Sequence, residues 1–256
     1  MTSAQLMPSG NDRGSLSWVA WLAAAVLLGL LANGCGSQLK QPNVLSTPYP
    51  GVQLWAVAPF ANESGVSAVD AYRVADLFTQ QVQQVDGINT VPVNRVLLAM
   101  RHAGLKAVGS SADAMQLIQL LDVDAIVVGT VTAWEPYPPP TMGMAVLLFA
   151  RSGDHPGGVD PRELVRATSS DVAPGELGPP GAIAQAAGVF DGRNNETLAW
   201  LEAFAIGRIE PDEPFGADVY LMDMELYTQF VSYRLMHDLL GFEQRRLTPV
   251  EDEEAR

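Results

Sequence analysis

Residues 122–132, Asp122-Val-Asp-Ala-Ile-Val-Val-Gly-Thr-Val-Thr132, enclose a β-branched apolar run at 125–131 between polar neighbours. That is the pattern of a strand buried on both faces. Asp122 and Asp124 suit a turn entering it from a helix that ends at Leu121. A second run of this kind, residues 54–60, predicts a strand beside it. Pro59 should end that strand, because it has no N–H to give to a ladder.

Between the two runs the period changes from two to about 3.6. Val69, Tyr72, Ala75, Phe78, Val82 and Val85 recur at helical spacing and predict a helix over 68–85, with Gly87 closing it. Residues 88–91 read as a short strand. Asn94 suits the cap of a helix carrying Val96, Leu97, Met100 and Leu105, closed by Gly104 or Gly109. Ser110 or Ser111 caps the next, with Asp113 in its first turn and Ala114, Leu117, Ile118 and Leu121 inward. After the central strand, Pro136-Tyr-Pro-Pro-Pro140 predicts a rigid hairpin loop, and residues 142–151 an antiparallel neighbour.

Residues 152–187 are rich in Gly and Pro and show little period, so 152–190 reads as one long loop. Two helices follow. The first starts at Asn194 or Asn195 and carries Leu198, Leu201, Phe204 and Ala205. The second spans 217–242, with Val219, Met222, Leu226, Phe230, Tyr233, His237 and Leu240 as its stripe. The order strand–helix–strand–helix–helix–strand–strand predicts an α/β fold: a layered αβαβ-type domain with helices packed on a small mixed sheet, plus two C-terminal helices.

Composition narrows the function. At 256 residues the chain can bury a sizeable core, and its net charge of −14 without a Lys/Arg cluster argues against nucleic acid as a partner. The single cysteine, Cys35, excludes an internal disulfide framework. It follows an uncharged apolar run at 18–32, about fifteen residues against the roughly twenty that span a bilayer. Arg13 precedes the run, Asp12 weakens its positive flank, and Ala32, Asn33 and Gly34 lead into Cys35. That layout is an export signal with a cleavage site.

Leu31-Ala-Asn-Gly-Cys35 resembles the lipobox of bacterial lipoproteins, with Gly34 and Cys35 at the essential positions. The resemblance implies cleavage between Gly34 and Cys35 and lipidation of Cys35, which becomes the first residue of the mature protein. Gly36 after the cysteine, rather than Asp, agrees with sorting to an outer membrane, the domain facing the periplasm. The expected plan is a lipoprotein signal peptide at 1–34, a lipidated tether at 35–51, an α/β domain at 52–151, the Gly/Pro-rich loop at 152–190, C-terminal helices packed on that domain at 191–243, and an acidic tail at 244–256.

The sequence predicts no enzyme and assigns no catalytic, metal or cofactor residue. There is no Gly-x-Ser-x-Gly elbow, no glycine-rich phosphate turn before either lysine (Lys40, Lys106), and no His-Glu-x-x-His. His102 suits a helix end, His237 the edge of an apolar stripe, and His155 a loop without a visible ligand partner. Asp122 and Asp124 invite an acid/base reading, but turn residues are the commoner use.

Trp55-Ala-Val-Ala-Pro-Phe-Ala-Asn-Glu-Ser64 and Val123-Asp-Ala-Ile-Val-Val-Gly-Thr-Val-Thr132 together resemble the opening and closing strands of a superfamily of envelope lipoproteins. It includes the curli secretion channel lipoprotein, activator lipoproteins of penicillin-binding proteins and the amino-terminal domain of the Tol–Pal translocation protein. The resemblance covers residues 54–149. It implies a non-enzymatic module, held to the membrane by its N-terminal lipid, that binds an envelope protein partner and can form homo-oligomers. An alternative is a subunit of an outer-membrane secretion channel, which needs membrane-inserted strands. Residues 135–190 offer one apolar strand and a loop rather than paired alternating strands of barrel length. A third reading, an envelope hydrolase, would draw its carboxylates from Asp154, Asp160, Glu163, Asp171 and Glu176.

Overall fold

Pro59 divides the first strand in two, and the sheet is built around that break. The computed structural model describes residues 41–151, 181–210 and 213–247. Strand β1 (Gln53–Val57) lies between two parallel neighbours, β3 (Ile88–Val91) and β4 (Ala125–Glu135). Ala58 still donates to the Val127 carbonyl at 2.9 Å, Pro59 cannot donate, and the chain rejoins β4 as the short β2 (Ala61–Asn62) opposite Thr130 and Val131. At the break the Phe60 ring turns inward over Gly129. A Cβ there would collide with its outer ring atoms, so the glycine of the central strand is the seat of this ring.

Helix α1 (Ala71–Gln83) starts later than the 68–85 expectation, because the Asp70 carboxylate accepts the N–H groups of Tyr72 and Arg73 and fixes the first turn there. Helix α2 (Val93–His102) is not capped by Asn94. Its cap position is Pro92, and β3 runs straight into the helix so that Val93 can be buried. Helix α3 (Ser111–Leu121) is capped by Ser110, which accepts the Asp113 N–H. It ends on Asp122 in the left-handed conformation, φ 55°.

Strand β4 continues to Glu135, where residues 136–140 turn the chain into antiparallel β5 (Thr141–Ala150). The expected loop at 152–190 needs correction. Residues 182–190 lie in β6 (Ala182–Asp191), which pairs antiparallel with β5 over its length. Residues 135–190 therefore contain two paired strands, not one. The strand order is β3-β1-β4-β5-β6, with β2 beside β4. Residues 152–180, with Asp154, His155, Asp160, Glu163, Asp171 and Glu176, lie outside the described residues.

Helix α4 (Asn195–Ala205) is capped by the Asn194 side chain. The long helix expected at 217–242 is divided. A 3-10 turn (Gly216–Asp218) and α5 (Val219–Met222) precede Asp223, whose carboxylate accepts the N–H groups of Glu225 and Leu226 and starts α6 (Met224–Leu247). The new start shifts the phase of the stripe. Tyr227, Thr228, Val231, Leu235, Met236 and Leu239 join Phe230 and Leu240 inward, while Met222 and His237 are exposed. Helix α6 also runs beyond the expected limit at 243.

Two cores result. Trp55, Val57, Val127, Met142, Met144, Val146 and Leu148 face α1, α4 and α6. Ala56, Ile126, Leu147 and Phe149 face α2 and α3. Three layers of this kind make the α/β class expected, with α4 and α6 lying against the first core.

Candidate partner-binding face

Pairing across the sheet places residues on faces, since partners in an antiparallel ladder share one side. Leu147 and Phe149 pack under α2 and α3. Leu147 pairs with Val128 and Gln185, Ala145 with Thr130 and Ala187, and Gly143 with Val189. Thr130, Ala145, Ala187 and Val189 thus continue the α2/α3 face beyond the ends of those helices. They are partly or fully exposed, Val189 at 61%. The opposite face of the same strands lies beneath α4 and α6. No described element covers one half of this sheet face, and it carries small side chains.

Beside this bare half the break at Pro59 forms a groove. Its walls are Pro59, Ala61 and Glu63 on one side and residues 107–110 on the other, with Val128, Thr130, Ala145 and Leu147 on its floor. The volume is about 160 Å³. It is shallow, and only Glu63 carries a charge among these residues.

The sequence-selected side chains do not converge there. The Asp124 carboxylate accepts the Leu54 N–H at 2.8 Å, and Asp122 pairs with Arg151 at 2.7 Å. Both tie the start of β4 to its neighbours, the turn role expected of them. His102 lies in the last turn of α2, and His237 sits 3.1 Å from Asp238 at the surface. Among the described residues no group of three or more His, Cys, Asp or Glu side chains could hold a metal ion. Cys35 and Gly34 lie outside the described residues, and no described helix is long and apolar enough to cross a membrane.

A buried polar cluster escaped the sequence reading. Glu243 is fully buried on α6; it accepts from the Tyr49 hydroxyl and takes two bonds from Arg246 at 2.8 and 2.7 Å. Burial pushes the Tyr49 hydroxyl pKa well above its ordinary value, and the adjacent carboxylate adds to this. The Glu243 hydrogen bond in turn raises Arg246. The legible signal was a glutamate three residues after Leu240 on the buried stripe, with an arginine three residues further on. The cluster corrects the tether expectation for 35–51. Tyr49 also packs on Trp55, Thr47 donates to the Asp86 carbonyl, and Asp86 donates to that of Leu45. Residues 45–51 are docked on the domain rather than forming a leash.

No protein-family model matches the chain, and no curated protein sequence does. Solved structures similar to it include the LpoB C-terminal domain from Salmonella enterica, 12% identical, covering 56% of this chain and 85% of that one at a TM-score of 0.35. Lipoprotein GNA1162 from Neisseria meningitidis is 16% identical, covering 59% and 92% at 0.37. A PelC dodecamer from Paraburkholderia phytofirmans is 11% identical, covering 63% and 87% at 0.30. At these scores the likenesses transfer neither partner nor activity.

Proposed function

We propose that the chain is a non-catalytic envelope lipoprotein, anchored through Cys35 after cleavage at Gly34 and facing the periplasm from an outer membrane, whose bare sheet face binds a protein partner. The observation that carries the reading is the α2/α3 face at Thr130, Ala145, Ala187 and Val189, half of which no described element covers. Small residues on a rigid sheet let a partner helix or strand approach closely, and a pre-formed surface binds without an ordering cost. Anchoring confines module and partner to one layer and raises their effective concentration.

Two measurements test it. Cys35→Ser should move the protein to the soluble fraction, and a variant bound as firmly as wild type refutes the anchor. A photo-crosslinking residue at Val189 in the full chain should give one discrete heterologous adduct in cells, lost on Ala187→Arg. Adducts equal to those from exposed Gln80 on α1 refute the binding face. A ladder of self-adducts replaces the heterologous partner with a homo-oligomer.

A further inference from the structure

Two of the described arginines, Arg208 and Arg234, are half-buried, and both lie over aromatic rings. Arg234 stands 4.1 Å over Trp200 and pairs with Asp238 at 3.0 Å. Arg208 stands 4.3 Å over Phe204 and 4.8 Å over Tyr233, and its hydrogen bonds go to the carbonyls of Phe204 and Asn43, at 2.8 and 3.1 Å. Burial lowers its pKa from the ordinary arginine value, and among the described residues only the hydroxyls of Tyr233 and Tyr220 oppose this, not a carboxylate. Withdrawing a cation from water without a counter-charge is costly, and the chain has 29 acidic residues that could have supplied one.

Arg208 lines a cavity of about 420 Å³, within the usual size of small-ligand sites. It is the one charged side chain among the residues that line it. Its guanidinium rests on a fixed platform, because Phe204 packs edge-on against Tyr220 at 5.2 Å and against Tyr233 at 5.0 Å. The two carbonyls take two of its N–H groups, so the five-donor fork keeps others for an anion. A second group in the same cavity lacks a partner. Gln81 of α1 is 4% exposed, and its Oε1 has no hydrogen-bond donor among the described residues. A buried amide oxygen in that condition destabilises the fold until a donor reaches it. The cavity is the side from which one can come.

A cation, an acceptor and an aromatic wall thus share one space. The last residue of a peptide presents the three complements: a carboxylate, an amide N–H and, where that residue is apolar, a side chain. A phosphate ester lacks the amide donor. We propose that this cavity among α1, α4, α5 and α6 binds the C-terminal residue of a peptide, with its carboxylate on Arg208, its amide N–H on Gln81 and its apolar side chain against Tyr220 and Tyr233. The site lies on the opposite side of the sheet from Thr130 and Val189, and it depends neither on that face nor on the lipidation of Cys35.

The test is a calorimetric titration of the full chain in detergent micelles with N-acetylphenylalanine, with its carboxamide and with inorganic phosphate, the heats of each into empty micelles being subtracted. The acid should saturate a single site, and the carboxamide should bind about tenfold or more weaker, the scale of a hydrogen bond to a charged group. Arg208→Gln should reduce the acid to the level of the carboxamide. Gln81→Leu should weaken acid and carboxamide by the same factor, since both carry the amide N–H. Urea midpoints report whether the variants fold, and the comparison of acid with carboxamide on the unaltered chain decides the matter without them. Equal affinity for acid and carboxamide, or no saturable binding of either, overturns the site. Phosphate bound as tightly as the acid overturns it too, because a bare anion would then suffice.

Discussion

Gly129 in the central strand invites a functional explanation, since glycines often mark close approach of a ligand, yet the structure gives it a packing role that can be measured. A Cβ at 129 would stand more than ~1 Å inside the ~3.5–4.0 Å separation at which carbons attract, against Cζ, Cε1 and Cε2 of Phe60. The ring cannot retreat freely, because it is nearly fully buried and packs on Phe78 with centroids 5.4 Å apart. Gly129→Ala should therefore cost about 1–3 kcal/mol, the usual range for overpacking. Leucine lacks the three clashing atoms, so Phe60→Leu alone should cost about 1–1.5 kcal/mol for lost volume. In that background Gly129→Ala should cost close to nothing, since alanine is favoured over glycine in a strand by roughly 0.5–1 kcal/mol. Urea unfolding of the four proteins gives the coupling energy, expected above about 1 kcal/mol. Additive effects, or a neutral Gly129→Ala, would refute the seat.

Two further outcomes follow from the ends of α6. Tyr49→Phe removes a donor from the buried Glu243 carboxylate and should cost about 1.5–3 kcal/mol, the range for a hydrogen bond to a charged group, read as a lower urea midpoint at constant slope. A change within about 0.5 kcal/mol, the scatter of surface substitutions, would mean that residues 45–51 are held without it. At the other end Arg73 donates to both Glu225 oxygens, at 2.8 and 2.6 Å, and holds this exposed carboxyl below its ordinary pKa of 4.5. A lowered folded-state pKa gives stability that is fully present above pH 4.5 and lost as the pH falls through the lowered value. The difference in urea midpoint between wild type and Glu225→Gln should therefore shrink from pH 7 to pH 3, and a pH-independent difference would show that the ion pair contributes nothing.

Strands β1 and β4 and helices α1 and α3 were legible because local signals agreed with the tertiary result: β-branched runs, an apolar stripe at 3.6 spacing, a Ser cap. Strand β6 was not. Its sequence, Ala-Ile-Ala-Gln-Ala-Ala-Gly-Val-Phe-Asp, is dominated by alanine and lacks a β-branched run, so its identity comes from pairing with β5 rather than from propensity. The bare face was invisible for a related reason. Thr130, Ala145 and Ala187 alternate as in any strand, and their exposure depends on where α2 and α3 end. Helix α6 was visible, but its phase was not, because Asp223 reads equally well as a polar position inside a helix and as the cap of a new one. Cys35 is the reverse case, a candidate that only the sequence offers.

The docking of residues 45–51 draws on one side chain of α6. A polar, proline-bearing stretch after a lipobox reads as a leash, because nothing in it can bury enough apolar surface to order itself. What orders it lies about two hundred residues away. A carboxylate buried on an apolar stripe costs several kcal/mol unless it is paired and hydrogen-bonded, so Glu243 would be a liability on α6 alone, even with Arg246 beside it. The Tyr49 hydroxyl is a further partner, and its ring fills the edge-on position against Trp55. Helix and stretch thus complete one another. The stretch supplies a donor that the helix needs, and the helix supplies the surface that the stretch lacks.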